Sequence, residues 1–78
     1  MDIVQAEVSL FKLRSARTFI KGARMLLCLG LSNLEDDDPR RLTVEESIRR
    51  NDEDVSFLSW QIDAIEAEYP LLCLPTTA

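Results

Sequence analysis

Residues 43–69, TVEESIRRNDEDVSFLSWQIDAIEAEY, decide the fold of this chain. Eight positions recur at alternating spacings of four and three residues: Val44, Ile48, Asn51, Val55, Leu58, Ile62, Ile65 and Tyr69. A pattern sustained over more than three heptads is typical of a helix packed along its whole length against another helix. Thr43 and Glu46 have the spacing of a capping box, so we expect helix 2 to begin at Thr43. Pro70 is expected to end the helix after Tyr69.

The packing partner of this helix is predicted in residues 2–29, a segment without proline. The stripe that we assign to the seam with helix 2 comprises Leu13, Ala16, Ile20, Ala23 and Leu27. A second apolar flank comprises Val8, Phe11, Phe19 and Leu26. Together they cover a wider arc than the roughly 100° that a surface helix needs, so helix 1 is expected to be covered from two directions. Gly30 is expected to end the helix in the left-handed conformation.

The segment between the helices, residues 30–42, carries the acidic run 35–38 followed by Pro39, which favours a loop. We therefore predict an all-α chain, a single domain over 1–78. It is an antiparallel hairpin with helix 1 over about 2–29, helix 2 over about 43–69 and a tail over 70–78. Residues 1–31 carry five cations and two anions, and residues 32–78 carry four cations and twelve anions, so the halves attract.

A domain this short buries only about 60% of its unfolded surface, which makes a lone core marginal. Small domains gain stability from disulfides, a metal or a partner subunit. We therefore predict that two hairpins dimerise into a four-helix bundle, using the flank Val8, Phe11, Phe19 and Leu26 as the dimer interface.

Three smaller expectations follow from the hairpin. If residue i of helix 1 lies within a turn of residue 73 − i of helix 2, Asn51 faces Gly22 and sets the register. Lys12 then lies near Trp60 and can place its ammonium by Asp63. The apolar tail residues Leu71–Leu74 are expected to fold back as an extended strap over one end of the core.

Composition excludes several classes of protein. The chain is 46% hydrophobic and 29% charged, which is ordinary for a folded globular domain, and its net charge of −5 disfavours indiscriminate binding to nucleic acid or anionic membranes. It contains no His, and Cys28 and Cys73 stand far apart in sequence, so we expect no metal, no cofactor and no enzymatic activity. The longest apolar run, Met25–Leu29, is too short to span a bilayer. We expect a cytoplasmic protein with reduced thiols.

Helix 2 has a further apolar face formed by Phe57, Trp60, Ala64 and Ala67, away from the heptad seam. One interpretation is that this face is a dimer interface or the docking site of the Leu71–Leu74 tail. Because Trp is a common anchor at protein interfaces, the other interpretation is a binding site for a foreign protein. Both predict contact with something outside the hairpin seam. The favoured function is a non-enzymatic interaction module, namely an inhibitor, adaptor or chaperone-like regulator, of a size that fits a phage or mobile-element gene product.

Two alternatives stay open. The cations Arg14, Arg17, Lys21 and Arg24 follow one flank of helix 1 and could contact phosphates, as in a nucleic-acid-linked transcriptional regulator. The chain could also be a structural subunit of a larger assembly.

Overall fold

The structure, a computed structural model, describes residues 1–73 and contains two long helices, α1 (Ile3–Ser32) and α2 (Arg40–Glu68). A short 3₁₀ helix, η1, follows over Pro70–Cys73. The early Arg14 pairs with the late Glu66, and the late Arg24 pairs with the early Asp52, so α1 and α2 run antiparallel. The predicted all-α hairpin is confirmed.

The first helix starts at an N-cap that the sequence analysis overlooked. The Asp2 carboxylate accepts the backbone N–H of Gln5 at 2.8 Å, and the Gln5 side chain accepts the Asp2 N–H at 3.1 Å. This reciprocal pair is a capping box and satisfies two otherwise free donors.

The end predicted for α1 at Gly30 is wrong. The helix continues to Ser32, its C-cap is Asn33 with φ of −92°, and neither glycine has a positive φ. Continuation through Gly30 lets Leu31 join the half-buried face of the helix. The connection between the helices is consequently 33–39, shorter than the predicted loop 30–42.

The capping box predicted at Thr43 and Glu46 is also wrong, because α2 begins earlier, at Arg40. Pro39 already has helical dihedral angles, and the Asp38 carboxylate accepts the backbone N–H of Arg40 at 2.8 Å. Proline suits a first helical position, and Asp is a preferred cap before it. Thr43 therefore lies inside the helix, where its carbonyl accepts the Ser47 hydroxyl.

The seam predicted for α2 is confirmed, since all eight heptad positions are buried or half-buried. The corresponding α1 face also follows four-three spacing: Ala6, Leu10, Leu13, Arg17, Ile20, Arg24, Leu27 and Leu31. The assignment of Ala16 to the seam is wrong, because Ala16 is exposed and Arg17 takes its place. The long stems of Arg17 and Arg24 supply apolar contact while their guanidinium groups reach polar partners on α2.

The register agrees with the predicted one to within about a turn of helix. Arg17 reaches Ser59 and Arg24 reaches Asp52, which places residue i near residue 76 − i, and Arg14 reaches one turn further, to Glu66. The prediction that Asn51 faces Gly22 is wrong, because a Cβ built on Gly22 would have no neighbour within 4 Å. Arg17 and Arg24 flank this glycine and direct the seam away from it.

Hydrogen bonds close both ends of the hairpin. The Arg41 guanidinium donates to the carbonyls of Leu31 and Leu34, each at 3.3 Å. At the other end, the Tyr69 hydroxyl donates to the Met1 carbonyl. Burial and the charges of Glu68 and Asp2 raise the pKa of Tyr69, so the phenol stays a donor at neutral pH.

The predicted strap is not extended in its described part. Residues 70–73 form a 3₁₀ turn in which the Leu72 N–H donates to the Tyr69 carbonyl at 3.0 Å. Leu72 is half-buried and its carbonyl lies 3.5 Å from the Arg14 guanidinium, whereas Leu71 is exposed. The placement predicted for Leu74 concerns a residue outside the described part.

Candidate protein-interaction surfaces

The core of the hairpin is narrow, and much of its apolar surface faces outward. Within the described residues, only Ala6, Leu10 and Ile62 are fully buried hydrophobic residues. Thirteen large hydrophobic side chains are exposed, by 48% to 78%. They fall mainly on two surfaces, one on each helix.

The first surface, which we call the aromatic face, consists of Phe57, Trp60, Ala64 and Ala67 on α2. All four residues are exposed, and Trp60 keeps 68% of its surface accessible. The rings of Phe57 and Trp60 stack with centroids 6.3 Å apart and an angle of 28° between their planes. The two rings together present a continuous apolar surface on this side of α2.

An open groove runs from the aromatic face toward α1. It has a volume of about 450 Å³, and Trp60 and Ala64 line it together with Lys12 and Leu13 of α1. Lys12 therefore lies beside Trp60, as the sequence suggested, but the described residues contain no ion pair between Lys12 and Asp63. The Lys12 ammonium therefore adds a positive charge to a groove that is also lined by the polar residues Ser9 and Gln61.

The second surface is the side of α1 that faces away from α2. It includes Val8, Phe11, Phe19 and Leu26, the residues predicted for the dimer interface, and all four are exposed. The two phenylalanines are 72% and 78% exposed. A depression between them is lined by Ser15 and Thr18 and has a volume of about 690 Å³.

The sequence analysis missed the full extent of this surface. A line of uncharged residues with four-three spacing runs along the exposed side of α1, and we call it the outer stripe: Val4, Val8, Phe11, Ser15, Thr18, Gly22, Met25 and Leu29. The signal was available as the same heptad spacing that revealed α2. It was hidden because three central members, Ser15, Thr18 and Gly22, are not large hydrophobic residues.

The basic flank of α1 mostly turns toward α2. Arg14 pairs with Glu66 at 2.7 Å, Arg17 donates to the Ser59 hydroxyl at 3.2 Å, and Arg24 binds Asp52 at 2.5 Å. The hydrogen bond with Asp52 raises the pKa of Arg24. Of the four cations predicted to contact phosphate, only Lys21 has no such partner in the described part of the chain.

The acidic residues at the start of α2 are held by local arginines. Arg49 bonds to both Glu46 and Glu53, and its hydrogen bond to Glu46 lowers the pKa of Glu46. Cys28 is a free, half-buried thiol whose sulfur lies 3.7 Å from the Arg24 guanidinium. Residues 1–73 contain no group of three or more Cys, Asp or Glu side chains placed to hold a metal ion.

Neither long helix within residues 1–73 combines the length and apolar character needed to cross a membrane. No protein family, curated protein or solved structure matches this chain.

Proposed function

We propose that this chain is a small non-enzymatic protein-interaction module that acts in the cytoplasm as a homodimer and occupies the surface of a partner protein. An inhibitor, an adaptor and a chaperone-like regulator all work in this way. The observation that carries the proposal is the stacked Phe57–Trp60 pair, which is exposed on α2 and is left uncovered by residues 1–73. Rigid aromatic side chains beside small residues are the usual composition of an interface anchor.

The shape of the molecule supports association. A compact chain of this length has a radius of gyration of about 11.5 Å, whereas this hairpin has 16.7 Å and extends over 52 × 26 × 15 Å. So thin a molecule cannot cover both outer faces with its own residues. We propose that the α1 surface, including Val8, Phe11, Phe19 and Leu26, pairs two hairpins into a four-helix assembly, which leaves the aromatic face for a foreign protein.

The nucleic-acid alternative has less support, because Arg14, Arg17 and Arg24 already contact residues of α2. The alternative of a structural subunit draws on the same exposed surfaces. It differs in one expectation, that the isolated chain aggregates rather than forming a defined dimer.

A pull-down from host lysate tests the proposal. The bait is the tagged chain, compared with a Phe57→Glu/Trp60→Glu variant that keeps the wild-type circular dichroism spectrum. Leu42→Glu is the matched control, since Leu42 is an exposed apolar residue of α2 outside the aromatic face. We expect one protein to be captured by the wild type and the control and lost with the double variant. Capture that nuclease abolishes and the double variant retains would instead favour the nucleic-acid alternative.

A further inference from the structure

We infer that the outer stripe of α1 binds the outer stripe of a second copy of this chain, antiparallel, with residue i of one protomer opposite residue 33 − i of its partner. This inference rests on the self-association in the proposed function and specifies its face, direction and register.

The face is set by the absence of charge. Eight consecutive stripe positions between Val4 and Leu29 carry no ionisable side chain, and all of them are exposed in the single chain. Four-three spacing keeps them on one line along the helix, on the side opposite the seam with α2. Such a line is the pattern by which one helix packs along another, and here it has no partner within the chain.

Gly22 indicates the register. Glycine destabilises a helix interior, and here its φ is not positive and no atom of the chain lies within 4 Å of a Cβ built on it. Nothing within the hairpin therefore requires a glycine at this position. In the proposed register Gly22 lies opposite the partner's Phe11, whose ring fills the space that a side chain would take.

The same residues favour the antiparallel direction. In a parallel pair, like positions meet, so glycine would face glycine and phenylalanine would face phenylalanine, leaving one layer empty and another crowded. In the antiparallel pair, each large residue meets a smaller or flexible one. Val8 lies opposite the partner's Met25, and Ser15 lies opposite the partner's Thr18.

The size of the contact predicts moderate affinity. The stripe is about 39 Å long at 1.5 Å per residue, and two helices of about 10–12 Å diameter bury on the order of 1,000 Å² along it. This is near the lower limit of a specific interface, so we expect a weak dimer whose population depends on protein concentration.

Direction is tested by electron spin resonance distance measurement in a Cys28→Ser/Cys73→Ser background. The label is placed at Ser32→Cys, an exposed position at the end of α1. The antiparallel register separates the two labelled positions by about 46 Å along the helix axis. A parallel pair would bring their backbones within about 10 Å and would overturn the inference.

Register and face are tested by sedimentation equilibrium. Gly22→Leu meets no atom of its own chain but would collide with the partner's Phe11, so we expect dimerisation to weaken by about tenfold or more. Adding Phe11→Ala to Gly22→Leu should restore most of the affinity. Gly30→Leu is the matched control, because Gly30 is equally open and lies outside the stripe.

A wild-type chain that stays monomeric well above micromolar concentration would overturn the inference, as would equal effects of Gly22→Leu and Gly30→Leu. Circular dichroism of each variant at a concentration below the dissociation constant confirms that the hairpin still folds. Neither failure affects the pull-down, which depends on Phe57 and Trp60. Conversely, a pull-down in which the aromatic face captures no partner would leave the expected spin-label distance unchanged.

Discussion

At the scale of single residues, Asp38 shows how one carboxylate fixes the start of a helix. It accepts the backbone N–H of Arg40 and also binds the Arg40 guanidinium at 2.7 Å. The hydrogen bond from the Arg40 side chain, followed by that from its backbone, lowers the pKa of Asp38 from 3.8 to about 2. The sequence contained this signal as Asp38-Pro39. Thr43 and Glu46 form a second possible capping pattern, which would start the helix one turn later. The helix starts at the earlier pattern because the added turn holds Arg41 against the end of α1.

We predict that Asp38→Ala lowers the melting temperature of the hairpin by several degrees at pH 7, because the first turn of α2 loses its cap. Since the pKa of Asp38 is lowered on folding, its stabilisation is fully present above the ordinary value. It is lost as the pH falls from about 4 to about 2. Thermal melts followed by circular dichroism across this range provide the measurement. Asp37→Ala is the control, and an equal loss in both variants would contradict the role of Asp38 as the cap.

At the scale of elements, hydrophobic spacing in the sequence predicts the α2 side of the seam better than the α1 side. Seven of the eight α2 positions are apolar or aromatic, so spacing alone predicted them. The α1 side contains Arg17 and Arg24, which a hydropathy pattern assigns to solvent. Their aliphatic stems pack while their charged ends reach α2, and a sequence pattern that treats each residue as wholly polar or wholly apolar cannot represent this.

We predict that Ile62→Ala destabilises the hairpin by about 2–5 kcal/mol, because Ile62 is only 1% exposed and its truncation leaves a cavity in a very small core. Urea unfolding measured by circular dichroism gives the change in free energy of unfolding. Leu42→Ala removes a comparable side chain from an exposed site, and we expect it to change stability little. Similar losses in the two variants would show that Ile62 is not at the centre of the core.

The cross-helix contact between Arg24 and Asp52 gives a second prediction for the elements. Arg24→Glu places two anions together and should lower the melting temperature, and Asp52→Arg should do the same by pairing cations. The double exchange Arg24→Glu/Asp52→Arg should recover most of the loss. Melts of the four proteins at low and at high salt test this, since screening should shrink every difference. A double variant no better than the single ones would place the two residues out of contact.

At the scale of the whole molecule, the hairpin could be predicted, whereas the roles of its outer faces could not. An apolar helix face has the same sequence signature whether a second copy or a foreign protein covers it. The structure separates the two outer surfaces spatially, with the outer stripe on α1 and the aromatic face on α2. It also reveals Gly22 as a position that the hairpin itself does not explain. On these two grounds we propose that α1 mediates self-association and that α2 contacts a partner.

This division of roles predicts how Trp60 responds to protein concentration. Trp60 is the only tryptophan, so intrinsic fluorescence reports its environment alone. In the free chain its exposed ring should be readily quenched by acrylamide. Because the dimer forms through the opposite helix, quenching should stay constant as concentration rises through the dimer transition, while the sedimentation profile changes. Quenching that falls in step with dimerisation would show that the aromatic face forms the dimer contact instead. Phe11→Glu, which lies on α1, tells the two outcomes apart. It should abolish dimerisation if α1 forms the contact, whereas it should leave both dimerisation and the fall in quenching in place if the aromatic face forms it.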